Sequence, residues 1–356
     1  MKRALWLLVI LAVLTGAATV MAQDSAATVS LGGNDELGAF LVGANGMTLY
    51  LFTKDTPGVS NCVDQCAANW PPLTVAEGER PTLAAGVPGM LGVITRADGS
   101  RQVTYNGSPL YYWVKDTAPG DATGQNVNEV WFVVKPPTVS LGGNDELGAF
   151  LVGANGMTLY LFTNDQPGVS NCADQCAANW PPLTVAEGET PTLQPGLTGE
   201  LGVIERADGG RQVTYNGSPL YYWVNDAAPG DATGQNVREV WFVVQPPTLA
   251  VSSSDALGDF LVGPNGMTLY TFANDQPGVS NCADQCAANW PPLLVGAAQQ
   301  PTAADGVNGE IAVIERADGG QQVTYNGMPL YYWINDVVPG DTTGHNVREV
   351  WFVAQP

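Results

Sequence analysis

Behind a tight Asn45-Gly46 turn the chain alternates sides: Leu49 and Leu51 fall on one face of a strand, Tyr50 and Phe52 on the other. Asp55 follows three residues after the second aromatic, and a Pro57-Gly58 turn closes the stretch. The pattern returns behind Asn106-Gly107, with Tyr111 and Trp113 sharing a face, then Asp116 and a Pro119-Gly120 turn. Asn-Gly and Asp-Gly between β-rich runs are the strongest short hairpin signals, and a third such dipeptide stands at Asp98-Gly99. The runs Phe40–Val42, Met47–Phe52, Leu91–Arg96, Arg101–Tyr105, Pro109–Val114 and Glu129–Val134 predict about six strands, with almost no helical periodicity. The exception is Ser60–Asn69, where Ser60 or Asn61 is placed to cap a short helical turn that Trp70-Pro71-Pro72 ends. A small all-β unit with one helical turn is the expectation.

The unit repeats. Cys62, Cys172 and Cys282 stand 110 residues apart, and the same interval relates Trp70, Trp180 and Trp290, then Trp131, Trp241 and Trp351. Three tandem β domains follow, 30–135, 140–245 and 251–356, joined by Pro136–Val139 and Pro246–Leu249, which read as short semi-rigid linkers. Each unit is itself an internal duplication of the aromatic hairpin, Tyr50 matching Tyr111 at an offset of 61. So short a period also fits a closed propeller of six half-units. One cysteine pair and one Trp-Pro-Pro per long repeat, with prolines between repeats, favour three separate domains. Val29–Thr53 and Val139–Thr163 are identical, the mark of recent duplication, so agreement between copies says little about constraint.

Residues 1–22 read as a signal peptide: Lys2 and Arg3, an apolar run to Val20, and Val20-Met21-Ala22 as cleavage site, with an uncleaved anchor as the alternative. The first cysteine is Cys62, so lipid attachment at the cleavage site is not expected. No second long apolar stretch follows, which predicts no membrane span after signal removal. The net charge of −21 argues against nucleic acid and anionic membrane surfaces and leaves room for cations.

Six cysteines in an exported chain suggest disulfides, and a self-sufficient repeat favours the local pairs Cys62/Cys66, Cys172/Cys176 and Cys282/Cys286. Ideal i,i+4 helical positions do not point their Cβ atoms together, so a bridge places the first cysteine in the turn before the helix. A redox-active pair and a soft-metal pair, with Met47, Met157 and Met267 recurring nearby in sequence, are the alternatives. The aromatic strands are core if both faces are covered; with one face open they form a sugar-binding shelf beside Asp55 and Asp116. Those two aspartates precede Pro-Gly turns, where an Asp side chain bonds amides two residues on. Asp116, Asp121, Asn126 and Glu129 share one loop, and Asp116, Asp121, Asp226, Asp231, Asp336 and Asp341 are the calcium candidates, although the spacing follows no calcium loop with a mechanistic basis.

His345 is the only histidine, and the other repeats carry Gln125 and Gln235 in its place. A repeated Ser-His or Cys-His nucleophile and a repeated His-ligated metal are therefore excluded. Lys54 and Lys115 become Asn164 and Asn225, and no phosphate-cradling glycine motif occurs. No enzyme is expected.

The paired aromatic strands and the Cys-x-x-x-Cys-Ala-x-x-Trp-Pro-Pro segment resemble a bacterial family of secreted repeats and predicted lipoproteins with a Tyr-x-(Phe/Trp/Tyr)-x-x-Asp motif, of unassigned function. The motif maps onto Tyr50, Phe52 and Asp55 and onto Tyr111, Trp113 and Asp116. In the second repeat it maps onto Tyr160, Phe162, Asp165, Tyr221, Trp223 and Asp226, and in the third onto Tyr270, Phe272, Asp275, Tyr331, Trp333 and Asp336. The missing lipidation cysteine is a departure, so membrane attachment is not carried over. A non-catalytic exported protein of the envelope or exterior, structural or ligand-binding and with a polysaccharide as candidate partner, is the leading expectation. Its rival is an envelope redox or metal-handling protein using the cysteine pairs or acidic loops.

Overall fold

A computed structural model describes residues 27–356, and the signal segment lies outside the described residues. Repeat one carries strands β1 (Val29–Asn34), β2 (Gly38–Gly43) and β3 (Tyr50–Phe52), then helical turn α1 (Gln65–Asn69) and β4 (Thr74–Val75). β5 (Leu91–Thr95), β6 (Arg101–Tyr105), β7 (Ser108–Pro109) and β8 (Trp131–Val133) complete it. The other repeats keep this order, except that a single bridge, Thr184 to Gln212, replaces β4 in repeat two, and a 3-10 turn, Val347–Glu349, is added in repeat three. The chain is an all-β tandem repeat protein, as its hairpin signals predict.

Each repeat is two interlocked halves rather than two halves in a row. β3 pairs with β8 from the far end of the repeat, while β4, which follows the first half in sequence, pairs with β6 of the second. Tyr50 and Tyr111 exchange both backbone hydrogen bonds, 2.8 and 3.0 Å, at the point where the halves cross. The same pseudo-twofold relation links two three-way backbone cycles. Leu49 N donates to Leu41 O, Val134 N to Leu49 O, and Leu41 N to Val134 O; Leu110, Val103 and Leu73 repeat the cycle. A half on its own would lack the strand that completes its sheet.

Strand alternation sorts the side chains into two cores. Leu41, Leu49, Leu73, Val103, Leu110 and Val134 form an aliphatic one. Phe40, Val42, Tyr50, Cys62, Trp70, Tyr111 and Trp131 form an aromatic one on the other side. Leu49 and Tyr50, adjacent in sequence, therefore lie in different cores. The turn joining β6 to β7 has Asn106 at φ 47° and Gly107 at φ 82°, the left-handed pair that a two-residue hairpin requires.

The joints differ from the expected linkers. Pro136, Pro137 and Pro246 are buried, and the next strand starts at Val139. The repeats touch: Gly86 of the first lies under Pro229 and Gly156 of the second, and Gly196 of the second against Pro339 and Gly266 of the third. Val337 and Val338 of the third reach Gly92 and Gly107 of the first. Every strand pairing among the described residues stays within one repeat.

Candidate functional site

The Tyr–x–x–x–x–Asp signature is read across the halves, not along them. Tyr50 OH donates to Asp116 Oδ2 at 2.5 Å, and Tyr111 OH donates to Asp55 Oδ2 at 2.7 Å, so each motif's tyrosine holds the other motif's aspartate. Tyr160–Asp226, Tyr221–Asp165, Tyr270–Asp336 and Tyr331–Asp275 repeat the exchange at 2.6–2.7 Å. The remaining oxygens reach further than the expected two residues. Asp55 Oδ1 accepts from Asn61 N, and Asp116 Oδ1 from Thr123 N and Thr123 Oγ1. Turn capping two residues on is thus corrected: a carboxylate that must meet a buried phenol is turned away from its own Pro-Gly turn. Tyr50 and Tyr111 are fully buried, and burial together with the neighbouring carboxylate holds both phenols above the ordinary tyrosine range.

Between these pairs four rings stack face to face. Phe52 lies on Trp131 with centroids 4.3 Å apart, Trp131 on Trp70 at 3.9 Å, and Trp70 on Trp113 at 4.0 Å. Tyr50 and Tyr111 abut Trp70 and Trp131 edge-on, each at 5.2 Å. The pseudo-twofold axis passes between the two inner tryptophans. These are buried, while Phe52 and Trp113 at the ends are half-buried. The aromatics are therefore chiefly core, and of the expected shelf beside Asp55 and Asp116 only the half-buried outer rings reach the surface. Gly124 closes over the stack, where a Cβ would lie 2.7 Å from Tyr50 and 2.8 Å from Trp70.

The Cys62–Cys66, Cys172–Cys176 and Cys282–Cys286 disulfides are formed with Cα separations of 5.2 Å. Cys62 lies before α1 and Cys66 within it. Ser60 and Asn61 do not cap this turn. Asp64 precedes it without a side-chain cap, Ser60 Oγ bonds Tyr111 OH, and Asn61 Nδ2 donates to Lys54 O. Arg96, buried, donates to Ser60 Oγ, Gln102 Oε1 and Cys62 O, each at 2.6 Å, and so fixes the backbone at the bridge. Each bridge closes a very short loop, so its reduction should cost roughly 2 kcal/mol by chain entropy alone. Denaturant midpoints with and without a thiol reductant measure this; equal midpoints would show the bridges to be dispensable.

The acidic loop's carboxylates hold the loop itself. Asp121 Oδ2 accepts from Thr117 N, Thr117 Oγ1 and Ala118 N, and Asp231 and Asp341 bond the matching amides. With Asp116, Asp226 and Asp336 turned to tyrosines, the loop does not direct its carboxylates at one point. Among the described residues no group of three or more His, Cys, Asp or Glu is placed to hold a metal ion. Gln125, Gln235 and His345 play the same part, since each accepts the amide of the closing strand, from Val133, Val243 or Val353. Arg96, Thr123, Gly124 and the stacking role of Trp70 and Trp131 have no local sequence signal beyond their recurrence in each repeat.

Burial raises Asp55, Asp165 and Asp275 above the usual carboxylate range, and pushes Asp336 up to about 6 against bonds from Thr343 and Tyr270. A raised folded value means that the folded chain binds the proton more tightly. The Asp336 contribution is therefore fully present below 3.8 and lost as pH rises through 6. Asp98, Asp121, Asp208 and Asp318 are held low by hydrogen bonds and act oppositely, losing stability only as pH falls below 3.8. Acidification from pH 7 to about 5 should thus raise the melting temperature, helped by relief of the −21 charge. Asp336→Asn should flatten that rise; a Tm that falls over the interval would contradict it.

No helix among the described residues is long and apolar enough to cross a membrane. Neither a curated protein nor a solved structure gives a significant match to the chain. A protein-family model matches it six times, over residues 33–74, 92–135, 143–184, 202–245, 251–294 and 312–355, one match for each interlocked half. Six halves that each carry a tyrosine, an aromatic and an aspartate place the chain in the Lipoprotein_15 family, described as a secreted repeat of unknown function.

Proposed function

We propose that this protein is a non-catalytic module of the cell envelope or exterior, whose rigid repeats present a structural or binding surface. The observation that supports this is the reciprocal Tyr–Asp exchange: the motif's polar groups are spent on each other in the interior of every repeat. An aspartate that accepts from a buried phenol is poorly placed for acid–base work on an outside substrate. In the ligand-binding version, a polysaccharide rests on Trp113, Trp223 and Trp333, the half-buried outer ring of each stack. Three such rings on one chain would multiply weak contacts where the partner is itself a repeat. No lipid anchor is part of the proposal.

The test is an envelope-glycan screen of the full secreted chain beside a W113A/W223A/W333A variant whose near-UV circular dichroism shows the inner stack intact. Retention lost in the variant supports the glycan version; glycan binding unchanged by the variant removes it. A thiol count on the native protein addresses the redox rival. Free thiols in excess of background would favour that rival, and none would support structural bridges.

A further inference from the structure

The rings and phenols of the aromatic core form a continuous path from the half-buried Trp113 to two buried tyrosines, each already bonded to a proton acceptor. We propose that each repeat is a one-electron relay: the tryptophan stack carries an oxidising equivalent from Trp113 to the Tyr50–Asp116 and Tyr111–Asp55 pairs, so that the protein quenches one-electron oxidants of the oxygen-radical or high-valent-metal class. A packed core needs a partner for each buried phenol, but not an unbroken run of stacked rings leading to that phenol from the surface. The spacing recurs in all three copies, with inner pairs at 3.9 Å and outer tryptophan pairs at 4.0–4.1 Å.

The oxidant takes one electron from the Trp113 indole and is reduced, leaving a Trp113 radical cation. In repeat one its Nε1 is buried with no hydrogen-bond partner among the described residues, so no neighbouring side chain takes the proton and the cation keeps its oxidising power. Trp70, stacked at 4.0 Å, returns an electron to Trp113 and takes the hole. Tyr50 then gives an electron to Trp70 while its phenolic proton moves along the 2.5 Å bond to Asp116 Oδ2. One O–H bond breaks and one forms; both tryptophans are neutral again, and Tyr50 is a neutral radical beside a protonated Asp116. Passing through Trp131, the hole reaches Tyr111 and Asp55 in the same way. A small one-electron reductant of the enediol or phenol class, giving one electron at Trp113 and itself being oxidised, reverses every step, and the proton returns to the phenol. Phe52 is too hard to oxidise to take part, so the path has one entrance. Burial holds the phenols protonated at rest, so each proton leaves only with its electron.

The full chain is oxidised by photogenerated tris(bipyridine)ruthenium(III), a cation that the −21 charge attracts, and radicals are followed by transient absorption and electron paramagnetic resonance. The expected result is a tryptophan radical that decays into a tyrosyl radical. Replacing Tyr50 and Tyr111 and their four counterparts with Phe should abolish the tyrosyl signal and leave the tryptophan radical, although Tyr105, Tyr112 and their copies remain. Trp113→Phe with Trp223→Phe and Trp333→Phe keeps a ring at each entrance and should remove most of the tyrosyl yield. That second set alone decides if the tyrosine set loses its near-UV circular dichroism. A tyrosyl signal unchanged in a folded variant set, or a wild-type tryptophan radical that decays without one, overturns the relay.

Discussion

Trp70→Ala is expected to destabilise repeat one by about 3–5 kcal/mol, the cost of emptying a large aromatic site in a packed core. Trp70 is 4 % exposed, stacks on both Trp131 and Trp113, and receives Tyr50 edge-on. Each such aromatic contact adds about 0.5–1.5 kcal/mol beyond its buried area. Collapse into the space is opposed by Pro71 and Pro72 on the chain side and by the disulfide-bridged turn before it. Against a domain stability of about 5–15 kcal/mol, the loss is a large share of the total. Since the aromatic cores of the three repeats are separate, the other two should keep their own. A calorimetric scan should therefore split, with roughly a third of the enthalpy moving down by about 10 °C or more and the rest staying. A shift under about 5 °C would mean that the stack is not the anchor described above.

The strands and turns were legible because their causes are local. Asn106-Gly107 supplies two left-handed residues, so its hairpin follows from the dipeptide. Leu49 and Tyr50 point to opposite cores because a strand alternates, whatever covers it. The run Glu129–Val134 overreached: Asn126, Asn128 and Glu129 take left-handed conformations, and only Trp131–Val133 enter the ladder.

What the local pattern hides is the interlocking. Tyr50 and its aspartate are 66 residues apart, Tyr111 and its own 56, and a motif that reads along one strand gives no hint that its two ends serve different partners. An aspartate before Pro-Gly is well explained by a turn, so its long-range role leaves no residue unaccounted for. Trp70 is similar. Before two prolines it reads as a helix stop, and it does end α1, its amide donating to Cys66 O. Its second role, as an inner ring of the stack, emerges only once β8 returns from the end of the repeat with Trp131.

Arg96 shows the same blindness at a site where the chemistry is sharper, and its removal is the second large effect expected. Between a β run and an Asp-Gly turn, an arginine reads as a surface residue. Its side chain is instead 5 % exposed, and the fork spans Ser60, Gln102 and the Cys62 carbonyl, with Asp98 3.8 Å from Nε. Arg96→Met matches the stem and removes the donors. Ser60 keeps Tyr111, but Gln102 Oε1 and Cys62 O lose the arginine, and each buried acceptor left bare costs about 1–3 kcal/mol. Part is offset because the guanidinium no longer has to be desolvated, so the net loss should be about 2–4 kcal/mol. Arg96→Lys keeps the charge but not the planar fork, and should restore less than half of that. The change should also reach the bridge: with the Cys62 carbonyl released, Cys62–Cys66 should be reduced faster by a thiol than Cys172–Cys176 and Cys282–Cys286, where Arg206 and Arg316 keep their grip. Mass mapping of the alkylated cysteines reads this directly. Equal reduction of all three bridges, or a methionine variant as stable as the parent, would show that the arginine merely occupies space.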